Sequence, residues 1–230
     1  MSNATEFISS YNKIDARLRA LYRGKGNLQF TDLVRRVAEC NATVKRYEDE
    51  LVSFARLRNA IVHESTTERI IAEPCDDATA LIGHIAGLLS APPRLSLLKE
   101  RRPLCVDAEK TVSEAIEEIS RSGYSNLPVY RKGALAGVLN NRGIIRDLGA
   151  ALGRGESAEE FLKKPCGSVL REEDMAVYYK TLTEKDTVQD ALDAFSQNRR
   201  LLAVLVFGES GVMNILTPSD IPRLLQILEN

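Results

Sequence analysis

Two short stretches of this sequence carry side chains whose types and spacing suit chemistry. One is Thr217-x-x-Asp220. A threonine hydroxyl both donates and accepts, and an aspartate carboxylate can accept from two vicinal hydroxyls at once. At the start of a helix, where backbone N–H groups point outward, the pair would also lie in a field that favours anions. The same spacing describes a plain helix cap. The other stretch is Arg58-Asn59-x-x-x-His63. A histidine with its ordinary pKa of about 6.5 serves as general base or acid near neutrality. A guanidinium clamps a phosphate through two parallel hydrogen bonds, and a carboxamide can orient either. Asn59 and His63 share a helix face. Arg58 and His63, five apart, diverge by about 140° on a straight helix, so one helix alone makes a poor dyad. The simpler reading has both side chains hydrogen-bonded inside a helical bundle or along its dimer seam.

Composition narrows the chemistry. Lys and Arg total 31 against 32 Asp and Glu, so the formal charge of −1 excludes a broadly basic nucleic-acid wrapper, though not a local basic patch. Two histidines leave little for a zinc site, and no metal is required by any motif found. Cys40, Cys75, Cys105 and Cys166 form no C-x-x-C pair, which leaves scattered buried thiols as the plain expectation. The longest strongly apolar run, 201–207, is far short of the roughly 18 residues that span a bilayer. The first ten residues lack the apolar core of a secretory signal. A soluble, cytoplasmic protein with no membrane partner is expected.

The elements that must hold these residues change character along the chain. Phe7, Ile8, Tyr11, Ile14, Leu18, Leu21 and Tyr22 recur at steps of three and four, one helical face. A second helix is expected from Thr31 as N-cap, carrying Leu33, Val34 and Val37 inward. A third runs over 43–62, and a fourth opens on Asp76-Asp77 and reaches Leu89. Pro92-Pro93 closes this helical domain, 1–93, and 94–102 reads as a linker. Over 103–230 the pattern becomes short β-like runs between helices, and it occurs twice: 103–152 and 177–228. Thr111 and Thr187 are 76 apart, as are Ala115 and Ala191, and Leu139 and Leu216 are 77 apart. A near-constant offset carrying β-α-β-β-α twice is an internal repeat. A short connecting helix is expected within 154–164. The fold class is α+β, an all-α bundle followed by a tandem repeat.

The copies resemble CBS motifs, together a CBS pair or Bateman module. The residues that carry the resemblance are the Asp107-to-Ala115 stretch and Gly123-Tyr124-Ser125-Asn126-Leu127-Pro128-Val129-Tyr130. The second copy adds its Thr183-to-Ala191 counterpart and Ile215-Leu216-Thr217-Pro218-Ser219-Asp220-Ile221. The resemblance implies an adenine nucleotide (AMP, ADP or ATP) or S-adenosylmethionine as a regulatory ligand between the motifs. It places Thr217 and Asp220 on the phosphate and ribose, Ala115 beneath the base, and Tyr124, Ser125, Asn126 and Pro128 beside it. Arg199 and Arg200, just before a strand, are expected to meet the phosphates opposite Asp220. In the first copy Asn140 and Gly143 stand where that family has Thr and Asp. With no carboxylate for a ribose, one competent and one degenerate site are expected, and Arg142 and Arg146 read as a solvated helix face.

The stretch around Arg58, Asn59 and His63 resembles the Arg-Asn-x-x-x-His signature of HEPN domains, helical bundles that often act as metal-independent ribonucleases. Two copies facing across a homodimer would bring arginines and histidines together, with RNA as the partner. Thr67, where some nuclease-toxin relatives carry tyrosine, departs from that pattern. His84 reads as bundle core or surface. Three functions therefore compete: a nucleotide-sensing regulator whose bundle is a dimerisation and interaction domain, a nucleotide-gated ribonuclease, and a structural dimer without ligand.

Overall fold

A computed structural model describes residues 2–63, 73–101 and 103–228, apart from the His63 side chain. In chain order the helices and strands are α1 (Asn3–Leu21), α2 (Phe30–Ala38), α3 (Ala42–Arg46), α4 (Glu48–His63), α5 (Asp76–Ser90), β1 (Val106–Asp107) and α6 (Val112–Ser122). Then come β2 (Asn126–Arg131), β3 (Ala134–Asn140), α7 (Asn141–Gly153), α8 (Ala158–Leu162), α9 (Glu172–Tyr178), β4 (Tyr179–Thr183) and α10 (Val188–Gln197). Last are β5 (Ala203–Gly208), β6 (Gly211–Leu216) and α11 (Ile221–Ile227). The architecture is mixed α+β, with helices first and two small sheets after them. No helix among the described residues is long and apolar enough to cross a membrane.

The chain forms two compact units. The first takes residues 1–97 together with 185–197 and 221–230, and the second takes 98–184 and 198–220. The first passage of the chain from one unit to the other, at 97–98, falls within 94–102. Helices α10 and α11, which the repeat assigns to the second copy, belong with the N-terminal helices.

The first unit is built on periodic apolar faces. In α1, Ala4, Phe7, Tyr11, Ile14 and Leu18 are buried, and Ser2 caps the helix by accepting from the Thr5 N–H at 3.3 Å. Phe7 meets Phe54 edge-on at 5.4 Å, and Tyr11 stacks on Phe30 at 4.4 Å. Each fully buried chain such as Phe7, Ile14 or Leu51 contributes roughly 1.5–3 kcal/mol. Two expectations are corrected. Helix α2 begins at Phe30 after Gln29, which makes no side-chain cap, and not with Thr31 as its cap. The helix expected over 43–62 is broken at Tyr47, whose backbone leaves the helical region at φ −109°, ψ 25°. The buried Tyr47 hydroxyl there donates to the Leu228 carbonyl at 3.3 Å. The backbone N–H and hydroxyl of Thr43 both donate to the buried Gln189 Oε1, at 2.9 and 2.7 Å. Those bonds explain why α10 joins this unit. Residues before it are also tied down: the Leu95 N–H donates to Asp186 O and the Val188 N–H to Pro93 O, both at 2.8 Å. The start of the expected linker is thus a paired, ordered segment with a 3-10 turn at Leu95–Leu97.

The second unit holds the repeat as two three-stranded sheets, β1-β2-β3 and β4-β5-β6. In each, the first pair is parallel and the second antiparallel, so one topology occurs twice. Hairpin β2–β3 turns through Lys132 (φ 51°) and Gly133 (φ 80°), two left-handed residues as a tight turn between twisted strands requires. Leu127, Val129 and Leu139 bury against Val112, Ala115, Ile144 and Phe161, while Val138 packs with Tyr179, Ala203 and Leu205. The first copy opens on a strand of only two residues, Val106–Asp107, and the connecting helix expected within 154–164 shrinks to Ala158–Leu162. Helix α9 was not anticipated, because its Glu172-Glu173-Asp174 start shows no long apolar period.

Candidate ligand clefts

In the second unit a cleft stands beside each of the strand–helix junctions at Thr217 and Asn140. The first, of about 250 Å³, is lined by Arg101, Pro103, Leu104, Gly123, Tyr124, Ser125, Asn126, Ile215, Thr217 and Asp220. Strand β6 delivers Ile215 and then Thr217. Segment 99–101 runs beside β6, since the Arg101 N–H donates to Met213 O at 3.2 Å and the Asn214 carboxamide to Lys99 O at 3.3 Å. That pairing sets Arg101, Pro103 and Leu104 at the rim. The facing wall starts where α6 ends in the left-handed cap Gly123 (φ 72°). Tyr124 follows, 60% exposed, with Ser125 and Asn126. Among the described residues the cleft thus offers an aromatic face, apolar Leu104 and Ile215, a hydroxyl–carboxylate pair and the Arg101 cation.

Thr217 and Asp220 are bonded to each other. The Thr217 N–H and hydroxyl donate to Asp220 Oδ2 at 2.9 and 3.2 Å. The same arrangement recurs at Thr111 and Glu114, at Ser157 and Glu160, and at Thr187 and Asp190. A threonine or serine three residues before an acid is therefore the general cap of this chain. What distinguishes Thr217 and Asp220 is the concavity they line. The anion-attracting helix start expected there is weak, because Pro218–Asp220 is a 3-10 turn and α11 has seven residues.

Two other expected contacts fall elsewhere. Ala115 is fully buried in the core under β2, and Pro128 is buried within β2, so neither reaches the lining. Both were assigned by repeat position, and burial overrules it. Arg199 and Arg200 do not stand opposite Asp220. They line the second cleft, of about 460 Å³, with Asn140, Arg142, Gly143, Arg146, Asp174, Tyr178 and Leu202. The strand order explains the exchange, because the segment leading into β5 reaches the end of the unit where β3 meets α7. Arg101, a cation of the first cleft, was missed by sequence reasoning because it lay in the stretch read as linker.

The side chains of the second cleft are unequally committed. Arg146 is bound by Asp147 at 3.0 Å and Asp174 at 2.9 Å, which hold its guanidinium firmly charged. Arg171 also pairs with Asp147. Arg142, Arg199 and Arg200 are exposed and form no ion pair among the described residues. Asn140 caps α7 by accepting from the Gly143 N–H at 2.9 Å and donates to the Tyr179 hydroxyl at 2.8 Å. That hydroxyl donates in turn to Asn126 Oδ1 at 3.1 Å. A hydrogen-bonded chain of the half-buried Asn126 and the buried Tyr179 and Asn140 thus runs from one cleft to the other. Burial pushes the Tyr179 phenol well above its ordinary pKa, so it keeps its proton and its donor role.

In the helical unit, the half-buried Arg58 lies 6.0 Å from the Tyr11 ring centroid, with a long contact of 3.4 Å to Asn59 Oδ1. Asn59 is exposed. His63 ends α4 with its side chain outside the described residues, as are Thr67 and Arg69. The half-buried His84 ring meets Tyr47 edge-on at 6.2 Å. The thiols are corrected: Cys166 alone is buried, while Cys40, Cys75 and Cys105 are exposed and none is disulfide-bonded. Among the described residues no group of three or more His, Cys, Asp or Glu side chains is arranged to hold a metal ion.

Residues 98–150 and 171–226 match the model of the CBS domain family. The repeat superposes on several solved structures. One is CBSX2 in complex with AMP, 16% identical, covering 60% of this chain and 99% of that one, with a TM-score of 0.46. Another is a CBS domain-containing protein of unknown function from Kribbella flavida, 19% identical, covering 57% and 94%, TM-score 0.43. A third is a hemolysin-like protein containing a CBS domain from Oenococcus oeni, 20% identical, covering 57% and 88%, TM-score 0.42. No curated protein matches the chain.

Proposed function

We propose that this chain, whose residues 98–150 and 171–226 are a pair of CBS domains, is a regulatory sensor of an adenine nucleotide held in the Thr217–Asp220 cleft. The observation that carries the reading is the convergence of Thr217 and Asp220, from the second copy, with Tyr124, Ser125 and Asn126, from the first, in one concavity. The exposed Tyr124 ring suits stacking on a planar base. The Asp220 carboxylate suits vicinal ribose hydroxyls, and Arg101 suits one phosphate. The volume of about 250 Å³ lies just under the usual range for small-molecule sites, roughly 300–1,000 Å³. AMP is therefore the first choice over ATP.

The output passes through the helical unit, read as a HEPN-like dimerisation and interaction domain in a homodimer. Asp220 is followed directly in the chain by Ile221, the first residue of α11, which belongs to that unit and whose Leu224 is buried. A ligand that favours one setting of the 217–220 turn can therefore bias α11, provided it binds the two settings with different affinity. Calorimetry with AMP, ADP, ATP and S-adenosylmethionine tests the sensor. Heat from AMP that Asp220→Ala abolishes supports it. Absence of binding by all four ends it. Incubation with RNA in EDTA, with His63→Ala in parallel, tests the bundle: the interaction reading expects intact RNA, and cleavage lost in the variant replaces it with the ribonuclease.

A further inference from the structure

The second cleft, expected from sequence to be degenerate, is strongly charged. Among the described residues four arginines line it against one aspartate. The lone Asp174 is consumed by Arg146, which it grips through both oxygens at 3.3 and 2.9 Å. Arg142, Arg199 and Arg200 are left with no carboxylate among the described residues. Gathering like charges in one concavity is unfavourable unless an anion joins them, and the repulsion grows as the walls exclude water.

Groups that would read a sugar are missing from the same lining. Asn140 spends its oxygen on the Gly143 N–H and its amide on Tyr179. Gly143 supplies no carboxylate, and packing does not demand a glycine there. A Cβ at Gly143 would meet nothing nearer than the Asn140 side chain at 3.6 Å, an ordinary contact, and its φ is not in the left-handed region. An aspartate would fit, and its charge would oppose whatever the arginines attract.

We propose that this second cleft binds a small molecule carrying two or more linked phosphates, recognised by Arg142, Arg199 and Arg200 through the phosphates and not through a sugar or base. Guanidinium groups meet phosphate oxygens in pairs, and three of them exceed what one phosphate needs. A cleft of about 460 Å³ has room for a chain of phosphates. The inference stands apart from the nucleotide reading, because none of these residues lines the Thr217–Asp220 cleft.

The test is titration calorimetry of the full chain at low salt with inorganic tripolyphosphate, orthophosphate and ATP. Tripolyphosphate is expected to bind at one site per chain, at least about tenfold more tightly than orthophosphate, and to weaken steeply as salt rises. The double variant Arg199→Ala/Arg200→Ala is expected to lose about tenfold or more in affinity, since hydrogen bonds to charged groups are worth about 1.5–3 kcal/mol. Gly143→Asp should lose as much without loss of helical circular dichroism, which keeps the test open if the double variant folds poorly. Arg154→Ala/Lys163→Ala, which removes the same charge from exposed positions, should leave the affinity within about twofold. ATP competing with tripolyphosphate would identify the phosphate chain of a nucleotide as the source, and ATP failing to compete would identify a free polyphosphate. No binding of tripolyphosphate, equal binding of orthophosphate, or affinity unchanged in both Arg199→Ala/Arg200→Ala and Gly143→Asp overturns the proposal. The nucleotide reading fails separately, on AMP with Asp220→Ala.

Discussion

The two clefts of the repeat stand beside matching strand–helix junctions, yet they differ in almost every side chain that could touch a ligand. Thr217 and Asp220 at one junction correspond to Asn140 and Gly143 at the other. Among the described residues one cleft pairs an exposed tyrosine with a carboxylate and Arg101, and the other gathers four arginines. The difference shows what a duplicated scaffold leaves free. Strand order and core packing recur because backbone hydrogen bonds and apolar burial demand them. The rim is solvent-facing, so its charges can diverge at little cost to folding.

The comparison can be broken most severely at Tyr179, whose hydroxyl lies between the clefts. Tyr179→Ala should destabilise the sheet unit by about 3–5 kcal/mol, the usual cost of truncating a buried aromatic, measured by urea denaturation. A loss under 1 kcal/mol would mean the two sheets do not depend on this side chain. Next in size, Asp220→Ala should weaken AMP binding by about tenfold or more, since a hydrogen bond to a charged group is worth about 1.5–3 kcal/mol. Arg101→Ala should weaken AMP but not adenosine, because only the phosphate meets that cation. Equal losses for both ligands would remove Arg101 from the phosphate role.

A smaller effect sharpens the link between the clefts. Tyr179→Phe keeps the ring but strands Asn126 and Asn140 without their shared hydroxyl, and should cost about 1–2 kcal/mol. If stability is unchanged, the Asn126–Tyr179–Asn140 chain carries no energy. The smallest effect separates both clefts from the helical unit. Burial raises the Asp193 carboxyl from 3.8 to about 6, against hydrogen bonds from Gln189 and Ala42 that pull it down. The folded state thus favours its protonated form. That contribution is complete below about pH 4 and is lost as pH rises through about 6. Partial exposure limits it to about 1 kcal/mol. Asp193→Asn should flatten the stability profile between pH 4 and 7, and an unaltered profile would exclude Asp193 as its source.

Much of the fold was legible. The 76-residue offset between Thr111 and Thr187 marked the start of each copy's first helix to within a residue, and the period through Phe7, Ile14 and Leu18 marked the face of α1. Tyr47 was not legible as a break, because the carbonyl it reaches lies 181 residues away in sequence. Nor could the sequence show that α10 belongs with the N-terminal helices, which rests on Gln189 meeting Thr43. At the site, Thr217 and Asp220 were found by spacing. That spacing also describes three plain caps, so local pattern alone could not set them apart.

From sequence alone came what depends on near neighbours and on period: most helices and strands, the repeat, the hydroxyl–carboxylate pair, and the absence of an acid at Gly143. Tertiary structure alone decided which distant side chains share a concavity. It moved Arg199 and Arg200 from the Asp220 cleft to the Asn140 cleft, brought Arg101 out of a presumed linker, and buried Ala115 and Pro128. The physical reason is that backbone preference acts over a few residues, whereas a cleft is closed by segments that strand pairing and core burial bring together across 76 residues or more.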